Sequence, residues 1–222
     1  MERLTNNLDP LSHLDDLGGK LCRRGPSPST SGRLASHHPE LDRFLVGGLP
    51  LGTIVEIGSP IGRGGRRPLI EFIAAATQGR STAVPYWVLW VYSKSQVYPP
   101  AWRAHGVDLS RVCFARSSSP MELRPALLSP LFKIIVLDAP AQLSGDDLTF
   151  LAHHARLQGK LFVLIRNYLL TQDGQSIWPK LRLNVWRSPR EPGAYHLDVI
   201  RGLSPRQAVI TLDPAGGEHV AR

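Results

Sequence analysis

From residue 36 onward the chain alternates short apolar runs with stretches of helical periodicity. Thr53–Ile57, Tyr86–Tyr92, Val112–Ala115, Lys133–Asp138 and Leu161–Ile165 are close to continuously apolar or β-branched, as strands buried on both faces must be. Between them, Pro68–Gln78, Pro99–His105, Met121–Leu128 and Asp146–Gln158 read as helices. That alternation predicts an α/β fold, a mostly parallel sheet flanked by helices. Beyond residue 180 the pattern changes. Leu181–Arg187, Tyr195–Arg201 and Gln207–Leu212 alternate apolar with polar positions between turn residues, which predicts C-terminal antiparallel strands.

The first 35 residues follow a different plan. Leu4, Leu8, Leu11, Leu14, Leu17 and Leu21 recur at helical spacing, predicting an amphipathic helix within residues 1–22. Residues 23–35 are rich in Pro, Ser and Gly and read as a linker. The expected plan is therefore helix, linker, a core domain over 36–212 and a tail over 213–222.

Composition narrows the partners more than the fold. The 222 residues suit one sizeable domain, and a net charge of +8 carried almost wholly by Arg favours an anionic partner, nucleic acid first. Two cysteines, Cys22 and Cys113, are too few for a disulfide framework or a zinc site and fit a reducing, cytoplasmic setting. No stretch approaches the length of a membrane span. The pairs His37-His38 and His153-His154 are adjacent in sequence and point apart, so no metal site is expected, and Ser117-Ser118-Ser119 lacks an arranged base.

The densest chemical signal follows the first strand, where Gly58-Ser59-Pro60-Ile61-Gly62-Arg63-Gly64-Gly65-Arg66-Arg67 resembles a phosphate-binding loop stripped of its working groups. Such a loop needs a Lys ammonium for the phosphates and a hydroxyl for Mg²⁺. With its last glycine set on Gly64, Gly65 stands at the lysine position, Arg66 at the hydroxyl position and Ser59 at the first glycine, followed by Pro60. Its backbone amides could still attract an anion, helped by Arg63, Arg66 and Arg67. Lys133-Ile134-Ile135-Val136-Leu137-Asp138 then ends in a carboxylate, where nucleotide hydrolases place an acidic Mg²⁺ partner.

Together with the lead-in Pro39–Leu45, the glycines Gly47, Gly48 and Gly52, the turn Gly106-Val107-Asp108 and the closing strands over 182–212, these motifs resemble the RecA-like superfamily. Within it they are most similar to the ImuA family of translesion-synthesis accessory proteins. The resemblance implies a RecA-like P-loop core. It also places Lys94 where active members carry the Glu that positions the attacking water, and a cation cannot accept a proton there. Of the expected catalytic set only Asp138 remains, so the resemblance implies no ATPase activity and no cofactor. It further implies a role in DNA-damage-induced (SOS) mutagenesis beside RecA, a Y-family-like subunit called ImuB and an error-prone polymerase, leaving single-stranded DNA and a homo-oligomer open. Two other readings stay in view: an ATPase-dead RecA-like interaction protein such as a cell-division inhibitor, and a weak DNA-dependent ATPase.

RecA-like recombinases hold single-stranded DNA on loops after the fourth and fifth strands. Here the first, 140–147, is short and acidic. The second, 167–179, follows Arg166 and carries Asn167, Tyr168 and Trp178, aromatics on which bases could stack, with Lys180, Arg182 and Arg187 beyond it. These seven residues are the candidate DNA contacts.

Overall fold

A computed structural model describes residues 32–94, 96–172 and 177–212. The expected N-terminal helix, most of the linker and the tail lie outside the described residues.

The five predicted buried runs form the strands β3 (Thr53–Gly58), β4 (Trp87–Tyr92), β5 (Val112–Arg116), β6 (Phe132–Asp138) and β7 (Leu161–Arg166). With β8 (Leu181–Arg187), β9 (Ala194–Arg201) and β10 (Gln207–Thr211) they make one eight-stranded sheet in the order β10-β9-β8-β3-β7-β6-β4-β5. Six strands from β5 to β8 run parallel, and β9 and β10 close the sheet in antiparallel fashion. β8 departs from the sequence expectation: it pairs in parallel with β3 and antiparallel only with β9. Alternation along β8 reads as a half-exposed strand, yet Leu181 through Val185 are all buried, because chain from the preceding crossover covers the polar face.

The helices α1 (Pro39–Phe44), α2 (Arg67–Thr77) and α3 (Pro99–Ala104) feed one core with Val55, Ile57, Val163, Ile165, Leu183 and Val185. Trp102 of α3 seals its outer end edge-on against Trp90 and Phe114, at centroid distances of 4.6 and 5.1 Å. On the opposite face α4 (Arg124–Leu128) and α5 (Gly145–Gln158) cover Ile54, Phe162, Leu164, Ile135 and Leu137. α5 has legible ends: Ser144 and Asp147 form a capping box, and Gly159 takes the left-handed conformation at the other end. The helix expected over 121–128 is divided. Pro120–Leu123 is a 3₁₀ turn and α4 begins afresh at Arg124, because Pro125 has no N–H to continue the ladder and is tolerated only in a first turn.

The core also extends upstream of the expected start at Ser36. β1 (Arg33–Leu34) pairs antiparallel with β2 (Leu49–Pro50), and the Leu34 side chain is fully buried. Arg33 donates to the Leu45 and Gly48 carbonyls at 3.0 and 2.6 Å, tying this strand to the turn before β3.

Candidate functional site

Two ionic clusters and one cleft gather at the carboxyl ends of the parallel strands, where ligands of open α/β sheets bind. The first cluster joins the degenerate loop to the acidic strand. Arg66 lies at the start of α2, which follows β3, and Asp138 ends β6, which is separated from β3 in the sheet by β7. Arg66 Nε donates to both Asp138 oxygens at 3.0 and 2.9 Å, and a second guanidinium nitrogen reaches Oδ1 at 2.6 Å. The Asp138 side chain is 1% exposed. A guanidinium thus stands directly before the carboxylate, and its planar fork matches the carboxylate geometry.

The loop itself is closed. The Ser59 N–H donates to the Arg166 carbonyl at 2.9 Å, Ile61 N–H to Asn167 Oδ1 at 2.6 Å and Arg63 N–H to the Pro60 carbonyl at 3.1 Å. That last bond closes a turn whose third residue, Gly62, has φ of 82°, the conformation a type II turn requires at this place. Three of the loop's amides are thus spent on internal acceptors. The lysine position is filled as well: a Cβ on Gly65 would meet the Val185 carbonyl oxygen at 2.1 Å and Ser59 Oγ at 2.2 Å. Ser59 is wholly buried and its hydroxyl lacks a hydrogen-bond partner. Position 65 therefore has no space for a side chain.

The second cluster engages two of the expected DNA contacts. Glu56, in the middle of β3, is buried and receives Arg166 Nε on one oxygen and Arg182 Nε on the other, each at 2.8 Å. Arg182 is only 4% exposed and also donates to the Thr171 carbonyl at 3.3 Å. Asn184 brackets Leu170, accepting from its N–H at 2.6 Å and donating to its carbonyl at 3.0 Å. The start of the expected DNA loop is thus pinned over β3 and β8, and Arg166 and Arg182 are both ion-paired with Glu56. Sequence reading missed Glu56 because a carboxylate amid strand residues has no visible partner until the sheet aligns β7 and β8 on either side of it.

The remaining candidates divide by position. Lys180 N–H bonds the Ile54 carbonyl near the start of β3, whereas Arg166 pairs beside Gly58 at its end, so Lys180 and Trp178 lie toward the opposite end of the sheet from Tyr168. Trp178 packs against the α4–α5 core. Tyr168 is 58% exposed and, with Lys94, Ser93, Ser118, Gln142, Arg166 and Asn167, lines a cleft of about 640 Å³. Ala139 shapes one wall in a left-handed backbone conformation, φ 50°, its carbonyl accepting from the Ser93 hydroxyl at 2.7 Å. Arg187 is exposed on the other side of the loop, its N–H donating to the Arg63 carbonyl at 2.7 Å.

Among the described residues no group of three or more His, Cys, Asp or Glu could hold a metal ion, and no helix is long and apolar enough to cross a membrane. No protein-family model matches the chain, and no curated protein matches it significantly. What is established is an α/β fold with a large, mostly parallel sheet flanked by helices, and a loop-to-strand junction closed by an arginine–aspartate pair.

Proposed function

We propose that this chain is a RecA-like accessory protein of the ImuA kind that has exchanged nucleotide chemistry for docking, and that serves DNA-damage-induced translesion synthesis. The observation that carries the reading is the Arg66 guanidinium on Asp138, at the junction where an active relative would hold Mg²⁺. The filled space at Gly65 and the spent loop amides support the same conclusion. In this reading the core is a rigid platform that binds RecA, an ImuB-like subunit or the error-prone polymerase, and no ATP switch controls it. The cleft with exposed Tyr168 and Lys94 suits a single strand as a secondary ligand, an aromatic face for a base beside a cation for a phosphate.

The test pairs nucleotide and partner assays on the full chain. Fluorescent ATP with Mg²⁺ is expected to show no saturable binding and no turnover, while immobilised chain captures purified RecA or ImuB. Mg²⁺-dependent hydrolysis that disappears in Asp138→Ala would overturn the docking-only reading. Failure to bind any of the three proteins, together with an unchanged RecA filament, would remove the chain from translesion synthesis.

A further inference from the structure

A basic surface beside the closed loop is not used by any of these pairings. Arg63 sits in the turn after β3, Arg187 ends β8, and Arg190 lies in the turn between β8 and β9. All three are exposed, and among the described residues none takes part in an ion pair. Other arginines of the same end of the sheet are spoken for: Arg66 by Asp138, Arg166 and Arg182 by Glu56, and Arg67 by Glu71. Burial and pairing have thus separated structural arginines from uncompensated ones.

The turns that carry the three are fixed. The Arg187 N–H binds the Arg63 carbonyl, and the Arg187 stem lies across Gly64, 3.2 Å from where a Cβ would stand. Ser188 N–H donates to the Ala194 carbonyl at 2.8 Å, while Ser188 Oγ accepts from the N–H groups of Arg190 and Glu191 at 3.3 and 3.4 Å. Arg63, Arg187 and Arg190 line a shallow cleft of about 330 Å³ with Gly62, Ser188 and Pro192. Arg187 and Pro192 also line a neighbouring cleft of about 310 Å³ that adds Arg67, His105 and Tyr195. Among the described residues Glu191 and Glu71 are nearby acids, and Glu71 is engaged with Arg67.

We infer that these two clefts form a continuous binding groove for the phosphodiester backbone of a nucleic acid, with Arg63, Arg187 and Arg190 as the phosphate contacts. Guanidinium forks recognise phosphate oxygens in pairs, and pre-ordered turns reduce the entropy lost on binding. The groove lies across the loop from the Tyr168 cleft and stands whether or not the chain is RecA-like.

The experiment is fluorescence anisotropy of labelled single- and double-stranded 20-mers over a salt series, comparing wild type with the triple variant R63Q/R187Q/R190Q and with K94A/Y168A. Glutamine at position 187 keeps the stem that packs on Gly64, and circular dichroism checks folding. Wild type is expected to bind, and the triple variant to lose on the order of 10-fold or more in affinity, with a log–log salt slope shallower by about two for single strands or nearly three for duplex. The preferred strand form then identifies the source of the phosphodiester. Unchanged affinity in the triple variant, loss confined to K94A/Y168A, or binding of polyglutamate without nucleic acid would each overturn the proposal.

Discussion

Arg66 and Asp138 are joined across the junction of α2 and β6 by N–H···O contacts of 2.6 to 3.0 Å, the carboxylate buried and the guanidinium reaching it from the helix start. Removing the cation leaves a buried carboxylate without that partner. Arg66→Ala is therefore expected to cost about 3 kcal/mol, the lower part of the range for breaking a buried pair, because the Arg66 side chain keeps 20% exposure. Asp138→Asn in the same background should recover part of the loss. Urea denaturation of the four proteins in the cycle measures it, and additive effects would mean that the two residues are not coupled.

Restoring lysine to the loop should not restore a nucleotide site. Gly65→Lys places a Cβ against the Val185 carbonyl and Ser59, so the variant is expected to lose about 1–3 kcal/mol through overpacking and to gain no ATP affinity. Thermal melting with and without Mg²⁺-ATP gives both answers. A rise in melting temperature with nucleotide would show that the loop can reopen.

Glu56 is the anion for two guanidinium groups, and its loss is expected to be felt more than that of a surface charge. Glu56→Gln should cost about 3–5 kcal/mol, since Arg166 and Arg182 would each lose a charged acceptor. Combining it with Arg182→Met should be milder than the sum of the two single changes. The shift in urea midpoint reads this, and a cost under about 1 kcal/mol would assign the pair the weight of an exposed one.

The upstream limit of the fold can be tested by truncation. A chain starting at Gly32 keeps β1, whereas one starting at Ser36 loses Leu34 and the Arg33 bonds to Leu45 and Gly48. Burial of one leucine is worth about 1.5–3 kcal/mol, so the shorter chain should melt several degrees lower. Equal melting temperatures would return the boundary to Ser36.

Lys160 supplies a pH dependence. Its ammonium is buried where it donates to the Leu127 and Ser129 carbonyls at 2.9 and 2.6 Å, capping the end of α4, and burial with the nearby Lys133 charge pulls its pKa down to about 8. The unfolded chain holds that proton up to the ordinary lysine range while the native chain releases it from about pH 8. The unfolded state thus binds more protons in this window, and the Lys160 contribution to stability rises with pH. A neutral amine still offers two N–H groups to the same carbonyls. Wild type should gain stability relative to Lys160→Met between about pH 8 and 10; a flat difference in urea midpoints would contradict it.

Fold class and most elements were legible in the sequence, because buried parallel strands must be continuously apolar and the helices between them carry their own end signals. Val163 and Leu137 need no partner to announce a core position, and Ser144 with Asp147 announces the start of α5 from local chemistry alone. That the loop after β3 carries no lysine could likewise be read from residue identity. Tertiary structure decided the pairings. Alternation places Arg182 and Arg187, five residues apart, on opposite faces of β8, but only the assembled sheet sets Glu56 opposite Arg182 and leaves Arg187 in solvent. The same holds for Arg66 and Asp138, 72 residues apart, whose meeting follows from where α2 begins and β6 ends in the assembled sheet.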